Sequence, residues 1–191
     1  MRGARPLEGY EIQSVLEACD DLREETMVKA ALNLGLRIGE LVGLTWGAVW
    51  GAQGAVSDVF LGSWTKSRRS RSIPANDRVR ETFQVWREAS IKQGWGVGPK
   101  DAVFRTVHGD PLSLRQAHRL IDSLIQRAGL SGRVTSHSFR KGFASMMLDR
   151  GANLKVIQEL LGHSSLAVTE KYLGCGYGNL RQAVSTLDGA Y

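Results

Sequence analysis

Cysteine is scarce: Cys19 and Cys175 are the only two in 191 residues, and neither belongs to a CxxC pair. That excludes a disulfide framework and a cysteine-rich zinc module, leaving two unpaired thiols suited to a reducing compartment. Long apolar runs are missing too. No stretch approaches the ~20 residues needed to cross a bilayer, and the opening Met-Arg-Gly-Ala-Arg-Pro-Leu-Glu lacks the apolar segment of a signal peptide. The expectation is a soluble, intracellular protein with no membrane partner. Proline occurs four times, and no repeat, low-complexity tract or Pro/Ser-rich linker divides the chain. It therefore reads as one domain spanning residues 1–191.

Acidic residues are outnumbered. Asp and Glu total 19 against 25 Lys and Arg, a formal charge of +6 that favours an anionic partner. With 42% hydrophobic and 23% charged residues, the chain has the composition of a folded domain rather than a disordered tail.

Apolar spacing predicts helices over most of the length. Ile12, Val15 and Leu16 form one short stripe, and Met27, Ala30, Ala31 and Leu34 form a second after a polar break. Gly51, Gly54 and Gly62 then punctuate short runs from Val56 to Leu61 and from Arg71 to Pro74, which suit strands of a small sheet. Asn76 is placed to cap a helix carrying Val79, Phe83 and Trp86. Ser113 is placed to cap another carrying Ala117, Leu120, Ile121, Leu124 and Ile125, ended by Gly129. Two further stripes follow: Phe139, Phe143, Met146 and Met147, then Leu154, Ile157, Leu160 and Leu161 before Gly162. A last stripe, Leu180, Ala183, Val184 and Leu187, lies behind the glycine-rich Gly174–Gly178 hinge. The fold class predicted is α+β, mainly α-helical, with a small β-sheet on a helical core.

Four polar segments stand out against these stripes: Gly-Leu-Arg37-Ile-Gly-Glu40-Leu, Thr65-Lys66, His137-Ser-Phe-Arg140, and Leu-Gly-His163 followed nine residues later by Tyr172. Each alone is weak, since an arginine between apolar residues is usually a surface residue with a packed stem. In this order and spacing they resemble the catalytic domain of the tyrosine recombinases, the phage integrase family, from about Leu7 to the end of the chain. The resemblance implies an integrase-type catalytic domain whose small sheet is antiparallel.

The resemblance also implies roles, which chemistry makes intelligible. Cutting a DNA strand without metal or other cofactor requires a nucleophile, a charge clamp and a path for two protons. Tyr172 is the expected nucleophile, conserving the bond energy in a 3′-phosphotyrosine; Tyr177 is its rival. Arg37 and Arg140 are the expected clamp, because a planar, permanently charged guanidinium pairs two donors with phosphate oxygens. Lys66 is the expected acid for the 5′ leaving oxygen, or else one more phosphate contact in the DNA-binding run with Arg68, Arg69 and Arg71. His137 is assigned proton transfer opposite Tyr172, His163 a hydrogen bond to phosphate, and Glu40 the orientation of Arg37. His108 and His118 sit in no motif and read as surface or loop residues.

In this reading the partner is double-stranded DNA, handled by a homotetramer on paired sites and a monomer in free solution, in the cytoplasm at the nucleoid, with or without accessory proteins. The first catalytic arginine follows only 36 residues, so the N-terminal core-binding domain of most family members is expected to be absent. The 174–191 hinge and helix suit exchange between protomers, or docking on their own core. Two other functions compete with site-specific recombination: DNA relaxation in the manner of type IB topoisomerases, and a catalytically silent DNA-binding regulator.

Overall fold

Side chains that accept from the orphan amides of a first turn fix where the helices begin. The computed structural model describes residues 3–62 and 71–163. In chain order these form α1 (Gly9–Glu17), α2 (Leu22–Leu34), α3 (Ile38–Val42), α4 (Trp46–Val49), β1 (Val59–Gly62), β2 (Arg71–Pro74), α5 (Asp77–Lys92), α6 (Leu114–Arg127), α7 (Ser136–Asp149) and α8 (Leu154–Leu161). Asp21 caps α2 by accepting from the Glu24 amide at 2.8 Å. Asn76 caps α5 through the Val79 amide, and Ser113 caps α6 in a reciprocal box with Gln116. Thr135 caps α7 through the His137 amide, and Asn153 caps α8 through the Lys155 amide. The caps expected at Asn76 and Ser113 are thus present, and α6 ends at Ala128 just before Gly129, whose φ is +65°.

The predicted class holds: a mainly helical molecule with a two-stranded antiparallel sheet. Val59 pairs with Pro74 and Gly62 with Arg71. The first strand is shorter than the Val56–Leu61 run predicted. The Ala75 amide still donates to the Asp58 carbonyl at 2.8 Å, but beyond it Val56 bridges to Trp50 instead, across a turn in which the Gly51 amide donates to the Ala55 carbonyl. Two short helices, α3 and α4, went unread because four or five residues are too few to show a period.

Helix α2 is the centre of the packing, set against both α5 and α7. It is buried on several faces, with Thr26, Met27, Val28, Ala30, Ala31, Leu32 and Leu34 all covered. Around it Trp46, Phe60, Ile73, Phe83, Phe104, Ile121 and Phe139 complete one core, while Phe143, Ala144, Ile157 and Leu161 form a separate cluster between α7 and α8. The Cys19 thiol donates to the Val15 carbonyl, and burial pushes its pKa up to about 12, so it is an inert thiol at neutral pH. Cys175 and the stripe at 180–187 lie outside the described residues.

Candidate active site

Two helices end on glycines in the left-handed region, and one arginine spans both ends. Gly35 closes α2 with φ +57°, and Gly162 closes α8 with φ +63°. Helix C-termini carry carbonyls without intrahelical partners and a partial negative charge. Arg140, on α7, donates from Nη1 to the Gly35 carbonyl and from Nη2 to the Leu161 carbonyl. Its side chain is 1% exposed. A side chain at Gly35 has no room, because a Cβ there would lie 2.6 Å from the Phe143 ring and 3.1 Å from Leu161 Cδ2.

Glu40 joins this arginine to the second one. It is buried, and its carboxylate accepts the Arg37 backbone N–H at 2.7 Å and the Arg37 guanidinium at 2.9 Å. The first bond also starts α3, with Glu40 at its third position. On its other side Glu40 Oε2 lies 3.8 Å from Arg140 Nη1. The carboxylate therefore bridges two arginines of unequal access: the Arg37 side chain is 37% exposed, and Arg140 lies behind it. Sequence reasoning gave the two arginines equal parts in a clamp and gave Glu40 only Arg37. In the structure Arg37 is the accessible arginine, Arg140 the enclosed one, and Glu40 lies against both.

His137 stands on the first turn of α7, one turn before Arg140. Burial of part of the imidazole, then the charges of Arg140, Arg37, His118 and Lys141, hold its pKa below the ordinary 6.5. At neutral pH it is therefore uncharged and able to accept a proton. His163 follows Gly162 and is half-buried; its amide donates to the Gln158 carbonyl and its carbonyl accepts from the Gln158 side chain, each at 3.1 Å. It thus comes two residues after the carbonyl that Arg140 holds.

The structure brings Arg37, Glu40, His137 and Arg140 into one electrostatic cluster and sets His163 beside the α8 end of it. Lys66, Arg68, Arg69, Tyr172 and Tyr177 lie outside the described residues, and Arg71 enters only through its backbone pairing in β2. His118, read from sequence as an ordinary surface residue, is exposed on α6 but near enough to His137 to depress its proton affinity. The signal available was its place off the α6 apolar stripe, beside Arg115 and Arg119. Among the described residues no group of three His, Cys, Asp or Glu side chains is placed to hold a metal ion. Buried guanidinium charge, an accessible arginine edge and a neutral imidazole together suit an anionic phosphoryl group whose charge grows during reaction.

Comparison with known proteins finds a family match over most of the chain. The Phage integrase family profile matches residues 5–175. The chain is 33% identical over 171 residues to the tyrosine recombinase XerD of Corynebacterium glutamicum, covering 85% of this chain and 51% of that protein. It is 32% identical over 136 residues to XerC of Halalkalibacterium halodurans, covering 69% of this chain and 44% of that one. The chain thus spans about half the length of these curated relatives. Among solved structures, the crystal structure of XerA recombinase superposes with a TM-score of 0.81 at 23% identity, over 100% of this chain and 68% of that one. A post-cleavage complex of XerH recombinase with palindromic difH substrate gives 0.75 at 20% identity, over 96% and 52%. These two likenesses concern the fold.

Proposed function

The chain belongs to the phage integrase family, the tyrosine recombinases, and from that premise we propose that it is a site-specific DNA recombinase acting through a covalent 3′-phosphotyrosyl intermediate. The observation that carries this reading is the Arg37–Glu40–Arg140 cluster with a neutral His137 at its edge. Tyr172 attacks the scissile phosphorus while His137 takes the phenolic proton. The P–O5′ bond breaks, and Lys66 supplies the proton to the departing 5′ oxygen. Arg37 and Arg140 stabilise the charge on the non-bridging oxygens, and losing either costs ~2.7–4 kcal/mol of transition-state stabilisation. Attack by a 5′-hydroxyl from a second duplex reverses the chemistry and completes exchange, so the bond energy is retained without ATP.

The substrate in this reading is double-stranded DNA at the nucleoid; a relative solved on its difH substrate supports that partner. Arg68, Arg69 and Arg71 add phosphate contacts, which makes binding salt-dependent. No helix among the described residues is long and apolar enough to cross a membrane. Strand exchange needs four protomers on two sites. The stripe Leu180, Ala183, Val184 and Leu187 is suited to pass between protomers. A groove of about 560 Å³ combines apolar Ile12, Leu16, Met146 and Leu160 with charged Lys29, Arg78 and Arg150, and its apolar part is a seat of the right character for that stripe.

Covalent trapping on a library of nicked or phosphorothiolate-containing duplexes tests the reading. Wild type forms a denaturation-resistant protein–DNA band, and Tyr172→Phe binds DNA without forming it. A band that survives in Tyr172→Phe moves the nucleophile to Tyr177. On a supercoiled plasmid, relaxation without joining to a second site points to topoisomerase activity, and binding without any adduct points to a regulator.

A further inference from the structure

Residues 4–7 form a strap along the segment that leads into α7, and their bonds bracket His137 on both sides. The Arg5 amide donates to the Arg133 carbonyl at 3.1 Å, and the Leu7 amide donates to the Ser138 carbonyl at 3.4 Å. Pro6 between them has no N–H to satisfy. The Arg5 guanidinium reaches the Ser131 carbonyl at 2.7 Å, and Lys141 Nζ donates to the Ala4 carbonyl at 2.7 Å. The strap is itself anchored. Arg5 pairs with the buried Glu11 of α1 through Nη1 at 2.7 Å and Nη2 at 2.5 Å, and that ion pair holds the Glu11 carboxyl below its usual range. Leu7 is buried in the main core. Gly132, with φ +80°, lets the loop turn past Arg5 Nε.

We propose that this strap is a positioning element of the reaction site, with Lys141 as the catch that holds the first turn of α7, and hence His137 and Arg140, in register. The proposal rests on the recombinase reading above. Lys141 immediately follows Arg140, yet its half-buried amine donates to the strap backbone, and partial burial lowers its pKa. Releasing the catch leaves Arg140 its two helix-end carbonyls but frees the turn that aims the imidazole. Reaction geometry is unforgiving: a displacement of about 1 Å costs ~10²-fold in rate.

The test compares wild type, Lys141→Met and Lys141→Arg in single-turnover adduct formation at saturating DNA, with DNA affinity measured separately. Lys141→Met keeps the stem and removes the donor. It should react about tenfold more slowly with affinity unchanged within about twofold, and Lys141→Arg should recover to within about threefold of wild type. Lys141→Met reacting at the wild-type rate beside a reactive wild type overturns the strap proposal alone. So does a loss confined to affinity, which marks a phosphate contact. No adduct from the wild type overturns the recombinase reading and the strap proposal with it. Circular dichroism at the assay temperature reports folding. If Lys141→Met is unfolded, Arg5→Lys, which keeps a charge beside Glu11 and gives up the reach to Ser131, carries the same comparison.

Discussion

Replacing Gly35 by alanine should hurt twice, and the two parts can be measured separately. At φ +57° an L-residue costs ~1–2 kcal/mol of backbone strain. The new methyl would also stand 2.6 Å from Phe143 Cδ1 and 2.9 Å from Cε1. That ring is packed with Ala144, Ile157 and Leu161, so overpacking adds ~1–3 kcal/mol. The total, about 2–5 kcal/mol, lowers the melting temperature by roughly 4–20 °C at ~2–4 °C per kcal/mol for a chain of this size. Gly54→Ala is the control. Its φ is +76°, but nothing lies within 4 Å of its Cβ, so it should show the strain alone, a loss of roughly 2–8 °C. Differential scanning fluorimetry of both variants reads the difference, and adduct formation below both transitions should fall only in Gly35→Ala, where the carbonyl held by Arg140 is displaced. Equal melting losses in the two variants, or a Gly35→Ala protein as stable as wild type, would refute the claim that Phe143 and Leu161 leave no room at this turn.

The cluster and its imidazole give two further expectations. Glu40→Gln keeps the shape but removes the charge facing two arginines; at ~1.5–3 kcal/mol for a charge-assisted bond, single-turnover cleavage should slow by roughly ten- to hundredfold with DNA binding largely retained. An unchanged cleavage rate would show that Glu40 does not orient the arginines. Because cleavage needs a neutral His137 and its pKa lies below 6.5, activity should persist at pH 6.5 and fall only at lower pH; His118→Gln removes one neighbouring charge and should move that acid limb upward. The linked stability has the same sign: the unfolded chain binds the extra proton first, so stability rises with pH through this window. An acid limb centred above pH 6.5 in the wild type would contradict the assignment.

Much of this was legible in the sequence where a local rule decides the outcome. Asn76 and Ser113 announce their helices because a capping side chain acts within three residues. The stripes at 139–147 and 154–161 announce theirs because burial follows the helical period. Helices α3 and α4 escaped, since neither is long enough to display a period, and α3 starts on the Glu40 carboxylate rather than on an ordinary capping residue. The site divides along the same line. Motif order assembled Arg37, His137, Arg140 and His163, but it could not show that Arg140 is enclosed while Arg37 is half open, nor that Glu40 serves both. Those facts depend on where α2 and α8 end in space. His118 and Lys141 were passed over because their significance lies in what they face across the fold, 19 residues and 137 residues away in sequence from His137 and Ala4 respectively.

The separation of the small α7–α8 cluster from the main core gives the molecule two tiers of cooperativity. Helix α8 is fastened by Ile157 and Leu161 in that cluster and by the bond from Arg140 to its last carbonyl, whereas α2 is enclosed on several faces. Hydrogen exchange should therefore release the amide protons of α8 before those of α2, and equal protection in the two helices would show a single cooperative unit. The enclosed arginine, bonded at once to the last carbonyl of α8 and to the Gly35 carbonyl that closes α2, is the tie between the two tiers.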